Sequence, residues 1–106
     1  MITIEDFKKM ELKVAEIKSV APHPNADKLY VLGIQVGDSL KTLVAGIRLH
    51  YGETELIGKK IVIVDNLEPA VIRGVESQGM LLAASDDQML TLIAPERDIP
   101  SGARVR

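Results

Sequence analysis

Short apolar runs separated by turn-forming residues constrain the fold more than any other feature of this sequence. Leu29–Val36, Lys41–Ile47 and Ile61–Val64 are rich in strand-forming residues. Gly37-Asp38 predicts a tight hairpin between the first two runs. The one mid-chain segment suited to a helical turn is Glu53–Ile57. No apolar run approaches the roughly 20 residues that cross a bilayer. The succession of short strand-forming runs favours an all-β protein.

The first strand begins at Leu12 and has a break in its alternation. Leu12 and Val14 share one face, whereas Ile17 continues the apolar pattern on the opposite parity. A β-bulge produces such a change, because one extra residue turns the following side chains over. Pro22 and Pro24 then end the pairing, since proline cannot donate to a ladder. We expect a long, bent first strand.

Two further runs, Gly79–Ala84 and Leu90–Ile93, complete the pattern of strands. With a short helical insertion after the third strand, this order predicts a five-stranded OB-fold barrel, whose ligand face combines strands two and three with the loops after strands one and four. Thr3 and Asp6 are spaced to cap an N-terminal helical turn; a frayed arm is the alternative. The remainder is a C-terminal extension.

A chain of 106 residues without cysteine is the size of one domain and needs no disulfide. We expect residues 1–106 to form a single domain, with a core of about residues 12–84 and a dimerisation extension of about residues 86–106. The last strand and tail hold more apolar residues than one barrel edge needs to cover, which predicts a homodimer. Those residues are Leu90, Leu92, Ile93, Ile99 and Val105.

Overall composition gives little support to nucleic-acid binding. Thirteen lysines and arginines against fifteen aspartates and glutamates leave a formal net charge of −2, whereas nucleic-acid binders usually carry a basic excess. Phe7, Tyr30 and Tyr51 are the only aromatic residues, so RNA binding mainly through stacked rings is excluded. The fold must assemble any basic surface from dispersed residues.

The sequence contains no recognisable motif of a catalytic site. Gly52–Lys60 resembles a phosphate-binding loop only faintly, because its glycine spacing is one residue too long and Lys60 stands where a hydroxyl should bind magnesium. No serine and histidine form a recognisable nucleophile arrangement. His23 and His50 have no metal-ligand spacing. We therefore expect no catalytic residue, no metal and no cofactor.

Three segments hold more polar and turn-forming residues than a plain barrel requires: 22–29, 66–74 and 76–80. In the first, Lys28 is a cation suited to phosphate, while Asn25 and Asp27 are as well explained by Asx-turns. In the second, Arg73 offers a bidentate donor, or simply solvates a turn. In the third, Ser77 and Gln78 offer donors and acceptors suited to base edges and ribose, and Met80 offers a polarizable surface for a base. The alternative is a polar turn followed by a core methionine.

Taken in order, these segments resemble a known family, the tRNA-binding domain of methionyl-tRNA synthetases, which also occurs in free-standing tRNA-binding proteins. The matching strings span about residues 12–84 and continue into the tail at Pro100–Arg106. They are Leu12–Val14, His23–Leu29, Leu56–Lys59, Asn66–Pro69 and Ile72–Ala83. A bacterial sister branch acts as an export-related chaperone on the same fold, but lacks the second and last strings in this form.

The resemblance implies an OB barrel that binds tRNA by its folded shape and is not itself an enzyme. It implies a cytoplasmic, often dimeric protein, either the beta subunit or the tRNA-binding domain of methionyl-tRNA synthetase, with the catalytic subunit as a possible partner and no membrane association. An export-related chaperone and a synthetase-recruiting scaffold are the alternatives. The RNA-binding residues that the matching strings imply are Lys28, Asn66, Arg73, Ser77, Gln78 and Met80.

Overall fold

A computed structural model describes residues 1–106, and strands account for most of its regular structure. The strands are β1 (Leu12–Pro22), β2 (Tyr30–Val36), β3 (Ser39–Ala45), β4 (Lys60–Val64), β5 (Ala70–Ile72), β6 (Val75–Ser77), β7 (Met80–Leu81), β8 (Ala83–Ser85), β9 (Leu90–Leu92) and β10 (Arg104–Val105). Two short helices are α1 (Ile4–Lys8) and α2 (Glu53–Leu56). The predicted all-β fold with a helical insertion after the third strand is confirmed.

The main antiparallel sheet has the order β3-β2-β1-β4-β7, with β10 added alongside β1. β1 is shared between two neighbours: Glu16–Pro22 pairs with β2, and Leu12–Glu16 pairs with β4. The register with β2 shifts between Ile17 and Ser19. This irregularity is the bulge that the change in apolar parity predicts, and it lets one strand serve both halves of a curled sheet.

The sheet curls around one apolar core, to which β1, β2, β3, β4 and α2 all contribute buried side chains. Leu92 belongs to the same core, and Leu90 packs against it. A smaller cluster of Leu12, Val62 and Val64 lies apart from this core, since neighbouring strand residues point to opposite faces. Phe7 and Val105 pack on that outer cluster, so both ends of the chain cover the barrel wall.

The N-terminal helix is capped as its sequence predicts. The Thr3 hydroxyl accepts a hydrogen bond from the Asp6 N–H at 3.2 Å, and the Asp6 carboxylate accepts one from the Thr3 N–H at 3.3 Å. This reciprocal pair satisfies two backbone donors that a short helix would otherwise leave open. The helical interpretation of this segment is confirmed.

Ser77 and Gln78 join the segment after β6 to the edge of β3. The Ser77 hydroxyl accepts from the Val44 N–H at 2.9 Å, and the Gln78 side-chain carbonyl accepts from the Thr42 N–H at 2.9 Å. The Gln78 N–H donates to the Thr42 carbonyl at 2.8 Å. These bonds satisfy backbone groups that an unpaired sheet edge would leave exposed, and they draw the two ends of the sheet together.

The C-terminal half departs from expectation at Leu82. Gly79–Ala84, predicted as one strand, is divided into β7 and β8, because Leu82 bonds to two other segments: its N–H donates to the Val62 carbonyl and its carbonyl accepts from the Ile93 N–H. The short strands β6 and β10 were not predicted. Their three and two residues are too few to show an alternating pattern.

The C-terminal segment crosses the start of β1 and is held there by close backbone contact. The Gly102 N–H donates to the Val14 carbonyl at 2.7 Å. Gly102 has a φ of +90°, and a Cβ added to it would lie 2.9 Å from the Gly37 Cα. Glycine is therefore required at this crossing. Neither helix of the chain has the length and apolar character needed to span a membrane.

Candidate nucleic-acid interface

The loop between β1 and β2, residues 23–29, is folded back on itself and fastened to the β5–β6 hairpin. The His23 N–H donates to the Leu29 carbonyl at 3.0 Å, which closes the base of the loop. The Asn25 side-chain amide donates to the Arg73 carbonyl at 3.2 Å, and the His23 ring contacts the Ile72 carbonyl at 2.9 Å. The hairpin therefore fixes the position of the loop.

Arg73 and Gly74 form the two-residue tip of that hairpin, with φ values of +52° and +90°. Positive φ at both central residues is the pattern of a type I′ turn, in which Asn-Gly is strongly preferred. Arg73 is the only non-glycine residue in the chain with a positive φ. A left-handed conformation costs a side-chain-bearing residue roughly 1–2 kcal/mol, so the hairpin presents a long cation at the expense of stability.

A surface groove of about 410 Å³ lies against the loop and the hairpin tip. It is lined by Ala26, Asp27, Lys28, Leu29 and Arg73. Arg48, in the connection after β3, reaches the same loop, where its guanidinium donates to the Ala26 carbonyl at 3.3 Å. We call the surface formed by Lys28, Arg48 and Arg73 the cationic groove.

The charges of the cationic groove are not neutralised by ion pairs within the protein. None of the five ion pairs in the structure involves Lys28, Arg48 or Arg73. Asp27 is the only carboxylate among the lining residues, which leaves a local excess of positive charge on a chain of net charge −2. Such a surface is suited to a polyanion, because arginine forks and a lysine ammonium bind phosphate oxygens.

The structure places Lys28 and Arg73 together but Asn66 elsewhere. The Asn66 side-chain carbonyl accepts from the Glu11 N–H at 2.9 Å, and its amide donates to the Lys9 carbonyl at 2.7 Å. Both bonds fasten the connection between α1 and β1 to the end of β4. We therefore assign Asn66 to the fold and not to the groove.

Ser77, Gln78 and Met80 also lie outside the residues that line the groove. Ser77 is only 4% exposed, and its hydroxyl both accepts from the Val44 N–H and donates to the Gly79 carbonyl. Gln78 uses its side chain in the same closure of the barrel. Because the Ser77 hydroxyl has both a donor and an acceptor within the chain, we assign Ser77 to the fold. The Gln78 side-chain carbonyl also supports the fold, whereas its amide nitrogen makes no hydrogen bond within the chain. Met80 is half exposed on β7, where it pairs with Val64.

Arg48 belongs to this surface although no motif in the sequence marks it. It directly follows Ile47, at which the third strand was predicted to end. A cation just beyond a strand of the OB ligand face was the available signal. The hydrogen bond from Arg48 to a loop 22 residues earlier has no signature in the sequence.

Asp65 organises a second charged cluster, which supports the fold. Its carboxylate contacts the Lys41 ammonium at 2.6 Å and the Lys13 ammonium at 3.0 Å. Burial acts to raise the pKa of Asp65, but the hydrogen bonds from Lys41 and Lys13 outweigh it and hold the pKa below its ordinary value of 3.8. The cluster connects β1, β3 and the end of β4.

Comparisons with known proteins agree with this geometry. The family described as "Putative tRNA binding domain" matches residues 12–104. Methionine–tRNA ligase of Pyrococcus horikoshii is 49% identical over 105 residues, which are 99% of this chain but 14% of the ligase. The chain thus spans about one seventh of the length of that relative.

Two solved structures superpose over the whole chain. A MetRS-related protein from Pyrococcus horikoshii has a TM-score of 0.93 and 36% identity, covering 100% of this chain and 98% of that one. The CsaA chaperone protein from Picrophilus torridus has a TM-score of 0.92 and 35% identity, with 100% of both chains covered. The strings identified in the sequence, the curled sheet and the matched residues lead to one conclusion: this chain belongs to the tRNA-binding domain family.

Proposed function

We propose that this chain is a non-catalytic, structure-directed tRNA-binding module, acting in the cytoplasm as the beta subunit or tRNA-binding domain of a methionyl-tRNA synthetase. The observation that carries the proposal is that Lys28 and Arg73 line one groove, with the Arg48 guanidinium bonded to the loop beside it, and that none of the three has a carboxylate partner. The family match supplies the class of ligand. The catalytic subunit is then a separate partner or the rest of a longer chain.

Contacts to phosphate and sugar, and not stacking on bases, would supply the affinity. Phe7 packs on the outer cluster. Tyr30 is buried and donates to the Tyr51 carbonyl at 2.7 Å, while the Tyr51 hydroxyl accepts from the Leu92 N–H at 3.1 Å. All three rings therefore have roles in the fold. A cationic groove without aromatic rings recognises the spacing of phosphates on a folded RNA.

Each cation of the groove has a distinct role in the proposal. Arg73 projects from the hairpin tip and can engage one phosphate through both arms of its guanidinium, whereas Lys28 supplies a flexible point charge. The bond from Arg48 to the Ala26 carbonyl holds that guanidinium against the loop. Met80 would pack against a base only where the RNA extends past the groove to β7.

A salt-dependent binding assay tests the proposal. Bulk tRNA and an unstructured RNA of equal length are titrated with wild-type protein and with Lys28→Ala, Arg48→Ala and Arg73→Ala at two salt concentrations. We expect preference for tRNA, and a salt slope reduced by about 0.7–0.9 for each lost phosphate contact. Lys8→Ala is the matched control, because Lys8 is exposed, forms no ion pair and lies on α1, outside the strings that match the family. Unchanged affinity and slope in all three groove variants would refute the proposal.

Protein binding is the second candidate function, favoured by the 35% identity and TM-score of 0.92 to the CsaA chaperone protein. A chaperone predicts affinity for unfolded polypeptide and indifference to tRNA. A synthetase-recruiting scaffold predicts binding to a protein partner without salt-sensitive RNA affinity. Parallel titrations with an unfolded polypeptide and with a methionyl-tRNA synthetase catalytic subunit distinguish these alternatives.

We also propose that the chain is a homodimer. Of the five apolar residues assigned to an interface, Leu92, Leu90 and Val105 pack within the chain, which leaves Ile93 and Ile99 about 40% exposed. An isologous interface over these two side chains would place two cationic grooves on one particle. Light scattering should give the mass of a dimer at micromolar concentration. A monomer mass would contradict this part of the proposal.

A further inference from the structure

His23 is a buried titratable group for which the proposed RNA contacts have no direct use. It is 3% exposed, and both of its ring nitrogens have backbone partners. The Asn25 N–H can only donate, so Nδ1 accepts that bond, at 3.0 Å. The Ile72 carbonyl can only accept, so Nε2 must carry the proton and donate to it, at 2.9 Å. The two contacts together specify a neutral ring protonated at Nε2.

A proton taken up from solvent by this ring would destroy one of the two contacts. The imidazolium carries a proton on each nitrogen, so Nδ1–H would face the Asn25 N–H and could no longer accept from it. Asn25 also donates from its side chain to the Arg73 carbonyl. Displacing Asn25 therefore disturbs the attachment between the loop that holds Lys28 and the hairpin tip that holds Arg73.

We propose that His23 is a positioning residue that makes tRNA affinity depend on pH, by holding the loop 23–29 against the hairpin tip only while its ring is neutral. The inference rests on the proposed function, because it concerns the same groove. Histidine is the side chain whose charge ordinarily changes between pH 5 and 8. Loss of the contact separates Lys28 from Arg73 and weakens binding.

The charged groups around His23 do not offer the imidazolium a replacement partner. On its own loop these groups are Asp27 and Lys28; Arg48 contacts the loop at Ala26, and Arg73 and Glu76 lie on the hairpin. None of the ion pairs in the structure involves His23. Three of these five groups are cations, and a cation cannot accept a hydrogen bond from the imidazolium.

The sign of the pH effect distinguishes this role from ordinary electrostatics. Protonating a histidine near a polyanion adds positive charge, so electrostatic attraction alone predicts tighter tRNA binding in acid. The positioning role predicts the reverse, because the geometry of the groove is lost as the charge is gained. One hydrogen bond corresponds to a change of about three- to tenfold in affinity.

The test measures the affinity for tRNA at about pH 7.5 and about pH 5.5, near the two ends of the range in which histidine titrates. The proteins are wild type, His23→Gln, His23→Asn and His50→Gln. His50 is exposed and is the only other histidine, so it provides the matched control. We expect wild type and His50→Gln to bind about three- to tenfold more weakly at the lower pH. The two His23 variants should bind less tightly at neutral pH and lose this acid weakening.

Two further measurements distinguish an unfolded protein from one in which the inference about His23 is wrong. Thermal unfolding at both pH values shows whether each protein is folded under the assay conditions, and long-range ¹H–¹⁵N NMR reports which nitrogen of His23 carries the proton. Wild type that binds tRNA equally or more tightly at the lower pH would overturn the inference, and so would acid weakening retained in folded His23 variants. Wild type that does not bind tRNA at neutral pH would instead overturn the proposed function.

Discussion

Replacing Arg73 with asparagine should stabilise the fold and weaken tRNA binding at the same time. Arg73 has a φ of +52° at the first position of the hairpin tip, where a left-handed conformation costs an ordinary L-residue roughly 1–2 kcal/mol. Asparagine adopts this conformation more readily and is the residue that type I′ turns prefer. The replacement keeps the backbone carbonyl that accepts from Asn25, so the loop stays attached.

The expected gain in unfolding free energy is about half of that strain, or about 0.5–1 kcal/mol. For a domain of this size 1 kcal/mol corresponds to roughly 4–8 °C in Tm, so the Tm of Arg73→Asn should rise by about 2–8 °C. The same variant loses one cation of the groove. Its tRNA affinity should fall, and its salt slope should decrease by about 0.7–0.9.

Differential scanning calorimetry and salt-dependent tRNA titration on the same preparations measure the two effects. Arg73→Lys is the control, because it keeps both the charge and the unfavourable conformation: its Tm should match that of wild type, and most of the affinity should remain. An unchanged or lower Tm for Arg73→Asn would refute the argument from strain. Full affinity in that variant would remove Arg73 from the binding site, whatever happens to the Tm.

Three other substitutions test the fold. Gly102→Ala should lower the Tm by at least about 8 °C in a thermal melt, because the new Cβ combines a left-handed φ with a backbone only 2.9 Å away at Gly37; a neutral result would contradict the close crossing. Ser77→Ala should cost about 1–3 kcal/mol in urea unfolding, since it leaves the Val44 N–H without its partner. Asp65→Asn should cost about 1–2 kcal/mol at neutral pH. Because the lysine contacts lower the pKa of Asp65 below 3.8, its contribution is present above that value and disappears as the pH falls through the lowered pKa. Wild type and this variant should therefore converge in acid, and a stability difference that persists there would contradict the argument.

Features specified by neighbouring residues were predictable from the sequence. The bulge near Ile17 follows from a change of parity within one strand, and the Thr3 cap follows from a three-residue spacing. The Gly37-Asp38 hairpin likewise needs only its own segment. In each case the physical cause lies within a few residues, so a local pattern is sufficient.

Features that depend on distant partners were not predictable in the same way. Ser77 and Gln78 carry groups suited to RNA, and nothing in their own segment shows that β3, more than 30 residues earlier, needs acceptors for its N–H groups. Asn66 bonds to Lys9 and Glu11, again across more than 50 residues. A motif can mark such residues as important while leaving open whether they contact a ligand or the fold.

The string Ile72–Ala83 contains both kinds of residue in succession, which determines how its variants should be interpreted. Arg73 projects into the groove from a strained turn, whereas Ser77 is buried in the closure of the barrel a few residues later. Loss of tRNA binding in a Ser77 variant therefore does not identify a contact, because the closure also supports the hairpin that carries Arg73. Substitution of a residue in the closure should lower both the stability and the tRNA affinity. Substitution of a strained contact residue should raise the stability and lower the affinity. Only the combined measurement assigns each residue of this string to its role.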